Sequence, residues 1–205
     1  IYLMERRVRR MNLKKLVTAA VCTMLMAAVA FTAGCGGEKK SDKKVLKVGM
    51  ECAYAPYNWS QTKADGGAVK IAGSNEYAYG YDVMMAKKLA DSMGADLEIH
   101  KIEWDGLAPA VVSGKIDAAI AGMSITSKRK ETVDFTKPYY YATVVALVKK
   151  DSEQAKAQSV ADLKGSVATS QLNTIWYDQI DQVPDVKKLP AIDTVPGMIV
   201  ALTSG

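Results

Sequence analysis

Three segments of the chain carry side chains that together suit a small charged molecule. Glu51 and Tyr54 stand three residues apart after an apolar run. Trp104 follows a second such run, and Ser124 precedes Arg129 after a third. A guanidinium beside a helix N-terminus suits a carboxylate, because both present N–H donors to negative charge. Aromatic rings enclose flat or aliphatic groups and bury about 150–250 Å² each when covered. The residue types therefore favour binding through paired charges and aromatic walls.

Each segment also has a purely structural interpretation, which the sequence leaves open. The aromatic residues around Tyr54 can form a small satellite core beneath a surface loop, and Trp104 can belong to the main core. Ser124 or Thr126 can merely cap a helix, because a hydroxyl before a helical turn accepts from its first N–H groups. Arg129 can then be a solvated surface cation.

Composition excludes several kinds of site and partner. His100 is the only histidine and has no Cys nearby, which argues against zinc, and we expect neither a metal nor a cofactor. Two of the three cysteines lie in the first 35 residues and leave Cys52 alone, so no disulfide can form within a mature chain. The first 34 residues hold 6 of the 27 basic and 1 of the 22 acidic residues, so the remainder is neutral. A neutral domain is not expected to bind nucleic acid.

Alternating strands and helices are predicted to position the first set of candidate residues. Val45–Met50 alternates as a strand, residues 51–75 predict a long loop, and Asp82 is expected to cap a helix that Gly94 ends. Ligands of such α/β units bind at the carboxyl ends of parallel strands. The pattern continues with strands at 96–102 and 116–121 and with helices at 105–113 and 127–132.

A second α/β unit follows a long apolar run at 139–149. The pattern restarts with strands at 166–169 and 186–189 and with helices from Thr174 and over 195–203. Two such units joined by an extended crossover predict a clamshell, with lobe I at 45–145 and lobe II at 146–205.

The N-terminal segment has the marks of an export signal. Lys14 and Lys15 precede an apolar stretch from Leu16 to Phe31, and a turn of small residues ends at Cys35. Ala33-Gly34-Cys35 is similar to a lipobox, in which the cysteine is acylated. We therefore predict a leader and lipoprotein signal at 1–35, a flexible linker at 36–44 and an extracytoplasmic, lipid-anchored protein. The alternative is a transmembrane anchor of about 18–20 residues.

Across residues 45–205 the chain resembles the solute-binding proteins of amino-acid ABC transporters, which include the glutamine-, histidine- and lysine/arginine/ornithine-binding proteins. The resemblance implies a type II periplasmic-binding-protein-like α/β clamshell, a monomer that binds a free amino acid and delivers it to a permease without catalysis. Met84 departs from the pattern, where an acidic residue is common. The motifs that carry the resemblance are Tyr54-Ala55-Pro56-Tyr57, Gly80-Tyr81-Asp82-Val83, Trp104-Asp105-Gly106-Leu107-Ala108-Pro109-Ala110, Ser113-Gly114-Lys115-Ile116-Asp117 and Ser124-Ile125-Thr126-Ser127-Lys128-Arg129.

The resemblance also implies roles for individual residues. Arg129 would pair with the ligand carboxylate, and Gly122 and Ser124 would contact its carboxylate and ammonium. Glu51 would meet the polar end of the ligand side chain, which favours a polar or cationic amino acid. The remaining ligand-binding residues would be Tyr54 and Trp104 around the side chain, and Asn173 and Thr174 from lobe II, where the family often has Gly in place of Asn173.

The end of the chain echoes an earlier turn. Residues 201–205, Ala-Leu-Thr-Ser-Gly, are similar to residues 110–114, Ala-Val-Val-Ser-Gly, which lead into a strand. We therefore expect lobe II to be truncated at Gly205, with the carboxylate that holds the ligand ammonium further on. A small lobe buries little surface, so we expect the 205-residue chain to bind its solute poorly and the full-length product to bind it.

Two alternatives remain on the same fold. Cyclohexadienyl dehydratases are similar to these binding proteins and would need a general acid or base, for which Glu51 is the obvious candidate. The sensor domain of a receptor would need a transmembrane segment after the domain.

Overall fold

The computed structural model describes residues 2–5 and 43–205. The predicted signal peptide, its lipidation site Cys35 and the linker as far as residue 42 lie outside the described residues, apart from Tyr2–Glu5. That short stretch, which the sequence assigns to the leader, lies in a sheet of lobe I as an antiparallel strand.

The described residues form eleven strands and five α-helices, together with short 3-10 turns. The strands are β1 (Tyr2–Glu5), β2 (Val45–Met50), β3 (Ala53–Tyr54), β4 (Asn58–Gln61), β5 (Val69–Lys70), β6 (Tyr77–Tyr79), β7 (Asp96–Lys101), β8 (Ala118–Met123), β9 (Asp134–Phe135), β10 (Val167–Ala168) and β11 (Lys187–Lys188). The helices are α1 (Tyr81–Ser92), α2 (Leu107–Ser113), α3 (Ser127–Lys130), α4 (Ile175–Gln179) and α5 (Val195–Ser204).

The main sheet of lobe I has the strand order β7-β2-β8-β1-β9. β2 pairs in parallel with β7 and β8, whereas β1 is antiparallel to β8 and β9. Parallel strands need covering on both faces, and the sequence of β8 is accordingly apolar throughout and almost entirely buried. The carboxyl ends of β2, β7 and β8 therefore meet at one edge, where Glu51, Trp104 and Ser124 follow them.

The core of lobe I lies between this sheet and helices α1 and α2. Val48, Ile99 and Leu107 are fully buried within it. Gly49 permits close packing here, because a Cβ at this position would collide with Ile116. The predicted βαβ arrangement of lobe I is therefore confirmed.

The segment after Glu51 is more regular than the sequence indicates. Instead of a long loop, β3, β4, β6 and β5 form an antiparallel sheet in that order. Trp59 in β4 faces Tyr79 in β6, and their rings meet edge to face at 5.0 Å. Cross-strand aromatic pairs stabilise such antiparallel sheets. The strands are so short that their sequences show little hydrophobic periodicity.

The prediction that Asp82 caps α1 is wrong. The N-cap of α1 is Gly80, whose φ of 126° has no steric cost without a side chain. A Cβ at Gly80 would in addition strike the backbone of Tyr57. Asp82 is the second helical residue, and its carboxylate is buried among polar partners of lobe I.

Lobe II follows a crossover in which residues 140–149 lie outside any helix or strand. The long apolar run at 139–149 is therefore not a paired strand in the described chain, and Tyr141 and Val145 are largely exposed. Beyond it, β10 and β11 pair in parallel, with α4 between them in sequence and α5 after them. Thr174 and Thr194 cap α4 and α5 with their hydroxyls, so both helices begin where a hydroxyl satisfies a free N–H.

Candidate functional site

Trp104 and Arg129 of lobe I meet a loop of lobe II in the cleft between the lobes. The Arg129 Cζ atom lies 5.5 Å from the centre of the Trp104 ring, in cation–π contact. The Arg129 Nη2 group donates to the Asn173 carbonyl at 3.0 Å, and the Trp104 Nε1–H donates to the same oxygen at 3.4 Å. One carbonyl of lobe II thus joins the guanidinium and the indole.

The turn before α3 fixes Arg129. Thr126 is the N-cap of α3, and its hydroxyl accepts the Arg129 backbone N–H at 3.1 Å. The Arg129 Nη1 group donates to the Ser124 carbonyl at 2.8 Å. Burial lowers the pKa of Arg129, and nearby Asp178 opposes that shift. The guanidinium is therefore a half-desolvated cation held by its own turn, in place of the solvated surface cation that the sequence left open.

Glu51 contacts the same loop of lobe II, two residues before Asn173. It is 4 % exposed, and its Oε1 atom accepts from Gln171 Nε2 at 2.9 Å. Burial raises the pKa of Glu51 to about 7; the Gln171 hydrogen bond lowers it, and Glu103 adds to the rise. Gln171 also donates to the Asp193 carbonyl at 2.9 Å and is buried. Glu51 is thus a carboxyl group poised between its neutral and charged forms.

Sequence reasoning missed Gln171 as a site residue. The only available signal was its place two residues before Asn173, in the segment that resembles the ligand loop of the family. A partner 120 positions away from Glu51 cannot be identified from local spacing.

The two predicted residues of lobe II take different roles. Asn173 adopts φ = 55°, the left-handed region, which explains why glycine suits this position and directs the Asn173 carbonyl into the cleft. The Thr174 hydroxyl accepts the Tyr177 N–H at 3.3 Å and donates to the Gln171 carbonyl at 2.7 Å. Thr174 therefore caps α4 and braces the loop that carries Gln171.

The remaining predicted residues of lobe I support the cleft from behind. The Gly122 N–H donates to the Tyr139 hydroxyl at 3.4 Å, and Ser124 contributes its carbonyl to Arg129. Tyr54 packs on Tyr57 with ring centres 4.9 Å apart, and burial raises the pKa of Tyr54. The structure thus brings Glu51, Trp104, Arg129 and Asn173 to the cleft. Strand β3, which carries Tyr54, contacts helix α5 of lobe II, whereas the hydrogen bond of Gly122 lies within lobe I.

The mouth of the cleft is acidic. A hollow of about 200 Å³ lies beside Trp104, between Glu103 and Asp105 of lobe I and Leu172 and Asp193 of lobe II. Three carboxylates line this hollow and favour a cation over an anion there, while the Trp104 ring is already in contact with Arg129. The described residues contain no group of three or more His, Cys, Asp or Glu side chains arranged to hold a metal ion.

Residues 46–188 match the family described as bacterial extracellular solute-binding proteins, family 3. The chain belongs to this family. The solute-binding protein is 30 % identical over 194 residues to the ABC transporter arginine-binding protein 1 of Escherichia coli (strain K12), a match that covers 94 % of this chain and 68 % of the relative. The resemblance stated from the motifs is therefore confirmed.

Two solved structures agree with this assignment. The arginine-bound form of truncated ArgBP from T. maritima has a TM-score of 0.65 and 29 % identity, covering 78 % of this chain and 69 % of that one. The ancestral amino acid-binding protein AncCDT-1, a precursor of cyclohexadienyl dehydratase, has a TM-score of 0.65 and 32 % identity, covering 78 % and 66 %. The solute-binding protein thus has the predicted two-lobe, type II periplasmic-binding-protein-like fold, and it spans about two thirds of the length of these relatives.

The part of the solute-binding protein that the structure describes contains no helix with the length and apolar character needed to cross a bilayer.

Proposed function

We propose that this solute-binding protein captures a free amino acid with a cationic or polar side chain between its lobes and presents it to an ABC transporter permease. One observation carries the proposal: the Arg129 guanidinium lies over Trp104 and is held by a carbonyl from each lobe, at the point where the lobes meet. A guanidinium in this position suits a ligand carboxylate, because its fork of donors matches two oxygens.

The surroundings of Glu51 favour a cation. Glu51 is a buried carboxyl group whose visible partner is one neutral amide, so a ligand ammonium or guanidinium would be a stronger partner for its charged form. The acidic mouth formed by Glu103, Asp105 and Asp193 would concentrate cations at the entrance. Arginine satisfies both ends, and the names of the Escherichia coli and T. maritima proteins agree with this choice.

Closure of the lobes around the ligand is the mechanism that the contacts support. In lobe I, Trp104 would cover the ligand side chain, with Tyr54 behind it. In lobe II, the loop with Asn173 and Thr174 would complete the carboxylate end. The lobes touch through Arg129 to Asn173 and through Glu51 to Gln171, and a ligand that replaces both contacts would change how the lobes sit. A permease can recognise such a change in outer surface.

An enzymatic function is the second candidate, because Glu51 has the pKa near 7 that a general acid or base needs. The similarity to a precursor of cyclohexadienyl dehydratase is consistent with an enzyme of this class. Binding without catalysis remains our proposal. Incubation of the protein with prephenate or arogenate would support the enzyme instead if it gave the aromatic product that forms when the ring loses water and carbon dioxide.

We further propose that the protein acts as a monomer outside the cytoplasm, anchored by a lipid on Cys35. Export follows from the basic and apolar N-terminal segment. Replacement of Cys35 by Ser should move the protein from the membrane fraction to the soluble extracytoplasmic fraction, whereas membrane retention of the variant would favour a transmembrane anchor.

The decisive test is a thermal-shift screen of twenty amino acids against protein expressed from its complete gene, followed by calorimetry. We expect arginine, lysine or glutamine to raise the melting temperature most, because a ligand stabilises the state it binds. Arg129→Ala should abolish the shift, and Val112→Ala, an exposed helix position of lobe I, should retain it. A screen in which no amino acid raises the melting temperature would refute the proposal.

A further inference from the structure

A buried polar network in lobe I links the turn that carries Glu51 to the turn that holds Arg129. At its centre the fully buried Asp82 carboxylate accepts from Asn58 Nδ2 at 2.7 Å and from the Tyr139 hydroxyl at 2.7 Å. Asn58 is fully buried as well. A buried carboxylate is costly unless hydrogen bonds satisfy it, so this arrangement constrains each partner closely.

One arm of the network reaches Glu51. The Asn58 Oδ1 atom accepts the backbone N–H of Cys52 at 2.8 Å. Cys52 adopts φ = 55°, an unfavourable conformation for a residue with a side chain, and it directly follows Glu51. Asn58 therefore holds the turn that aims the Glu51 side chain into the cleft.

The other arm reaches the turn that holds Arg129. The Tyr139 hydroxyl donates to Asp82 and accepts the Gly122 N–H at 3.4 Å. Gly122 adopts φ = 65° at the end of β8, two residues before the Ser124 carbonyl that binds Arg129. Tyr139 itself begins the crossover to lobe II.

We propose that Asp82 is a positioning residue that sets the spacing between the Glu51 end and the Arg129 end of the cleft. Its two carboxylate oxygens each hold one arm, so neither arm can shift without losing a charge-assisted hydrogen bond. Burial raises the pKa of Asp82, and the bonds from Tyr139 and Asn58 oppose that rise by favouring the ionised form. The inference rests on the proposed function only for the identity of the ligand.

The key experiment exchanges the two polar side chains. Asp82→Asn removes the negative charge, so neither bond at position 82 keeps its charge assistance, and the new amide N–H group faces one of the two donors. The double variant N58D/D82N restores all three hydrogen bonds. The new carboxylate at position 58 accepts from the Cys52 N–H and from the new amide N–H at position 82. The amide oxygen at position 82 accepts from the Tyr139 hydroxyl. Val83→Ala is the matched control, since Val83 is a fully buried neighbour on α1 outside the network.

The first measurement needs no ligand. Amide hydrogen exchange of Cys52 and Gly122 reports the two arms directly. We expect D82N to reduce protection of both amides by about tenfold, as for a lost hydrogen bond to a charged group, and N58D/D82N to restore it. Tyr139→Phe should expose the Gly122 amide alone. Unchanged protection of both amides in D82N would overturn the proposal.

The second measurement separates positioning from general stability. L-arginine engages both ends of the cleft, whereas L-alanine engages only the Arg129 end. We expect D82N to lower the affinity for arginine about tenfold more than the affinity for alanine, because only the longer ligand depends on the spacing between Glu51 and Arg129. The double variant should restore the ratio of the two affinities. Val83→Ala should lower the melting temperature without changing the ratio. An equal loss for both ligands in D82N would show that Asp82 acts through stability alone.

The two measurements test the proposed function and the positioning role of Asp82 separately. If the unmodified protein binds no amino acid, the proposed function fails, and the exchange rates still decide whether Asp82 couples the arms. If D82N does not fold, Tyr139→Phe tests the Gly122 arm, and recovery of folding and of protection at both amides in N58D/D82N tests the pairing at position 82.

Discussion

Glu51 is the group whose protonation we expect the ligand to change. With a pKa of about 7, about nine tenths of the carboxyl groups are neutral at pH 6. A ligand guanidinium beside Glu51 favours the charged form and lowers the pKa toward its ordinary value of 4.5. Binding of L-arginine should therefore release about 0.9 proton per site at pH 6 and almost none at pH 8.5, where the group is already ionised.

Calorimetry measures this release directly. Titrations of L-arginine at pH 6 in several buffers that differ in ionisation enthalpy give a line whose slope is the number of protons exchanged. Glu51→Gln is the control, because its amide oxygen can still accept from Gln171 but cannot titrate. L-glutamine, whose side chain is neutral, should release fewer protons than L-arginine. A slope of zero for unmodified protein at pH 6, or an equal slope for Glu51→Gln, would refute the reasoning.

The same residue predicts the direction of a pH effect on stability without ligand. Because the folded pKa of Glu51 lies above its ordinary value, the folded state binds more protons than the unfolded state between about pH 4.5 and 7. The contribution of Glu51 to stability is therefore greatest below that window and declines as the pH rises through it. Glu51→Gln should remove this slope from the melting temperature, and an unchanged slope would contradict the burial argument.

Substitutions at three positions test the site and its scaffold. Arg129→Ala should weaken arginine binding by about 2–5 kcal/mol, the cost of truncating a buried charge pair, and a loss below about tenfold by calorimetry would show that Arg129 does not anchor the carboxylate. Asn173→Gly should leave the melting temperature nearly unchanged, whereas Asn173→Val should cost about 1–3 kcal/mol because φ is 55°. Leu107→Ala should lower the free energy of unfolding in urea by about 2–5 kcal/mol, and the exposed control Val112→Ala should change it little.

The fold of lobe I was predictable where hydrophobic periodicity is strong. The bounds of β2 were predicted without error, and β7 ends one residue before its predicted limit. β8 begins and ends two residues later than expected, because Ile116 turns into the core before the ladder starts. The strands β3, β4, β5 and β6 were missed, since segments of two to four residues in an aromatic and glycine-rich stretch are too short to display a period.

Residues at strand ends could be placed in the cleft from sequence, whereas their partners could not. Glu51 and Arg129 each follow a recognisable strand, and parallel strands end at one edge of a sheet. Gln171 joins Glu51 across 120 positions, and Asp82 joins Asn58 and Tyr139 across 24 and 57. Asp82 was predicted as a cap because the local pattern permits that role. Whether Asp82 caps the helix or is a buried carboxylate of the core depends on the donors Asn58 and Tyr139, which come close to it only when the sheets pack.

The contacts between the lobes also limit the binding free energy that a ligand can gain. Arg129 already donates to the Asn173 and Ser124 carbonyls, and Glu51 already accepts from Gln171. These direct partners are neutral, so neither charge is paired with a counter-charge within hydrogen-bonding distance, and Asp178 acts on Arg129 only as a nearby negative charge. A zwitterion with a cationic side chain supplies both counter-charges at once, and its affinity is the difference between those ion pairs and the neutral contacts that it replaces. A neutral amino acid gains this difference only at the Arg129 end, which is why selectivity for the side chain should depend on Glu51 and on the network that aims it.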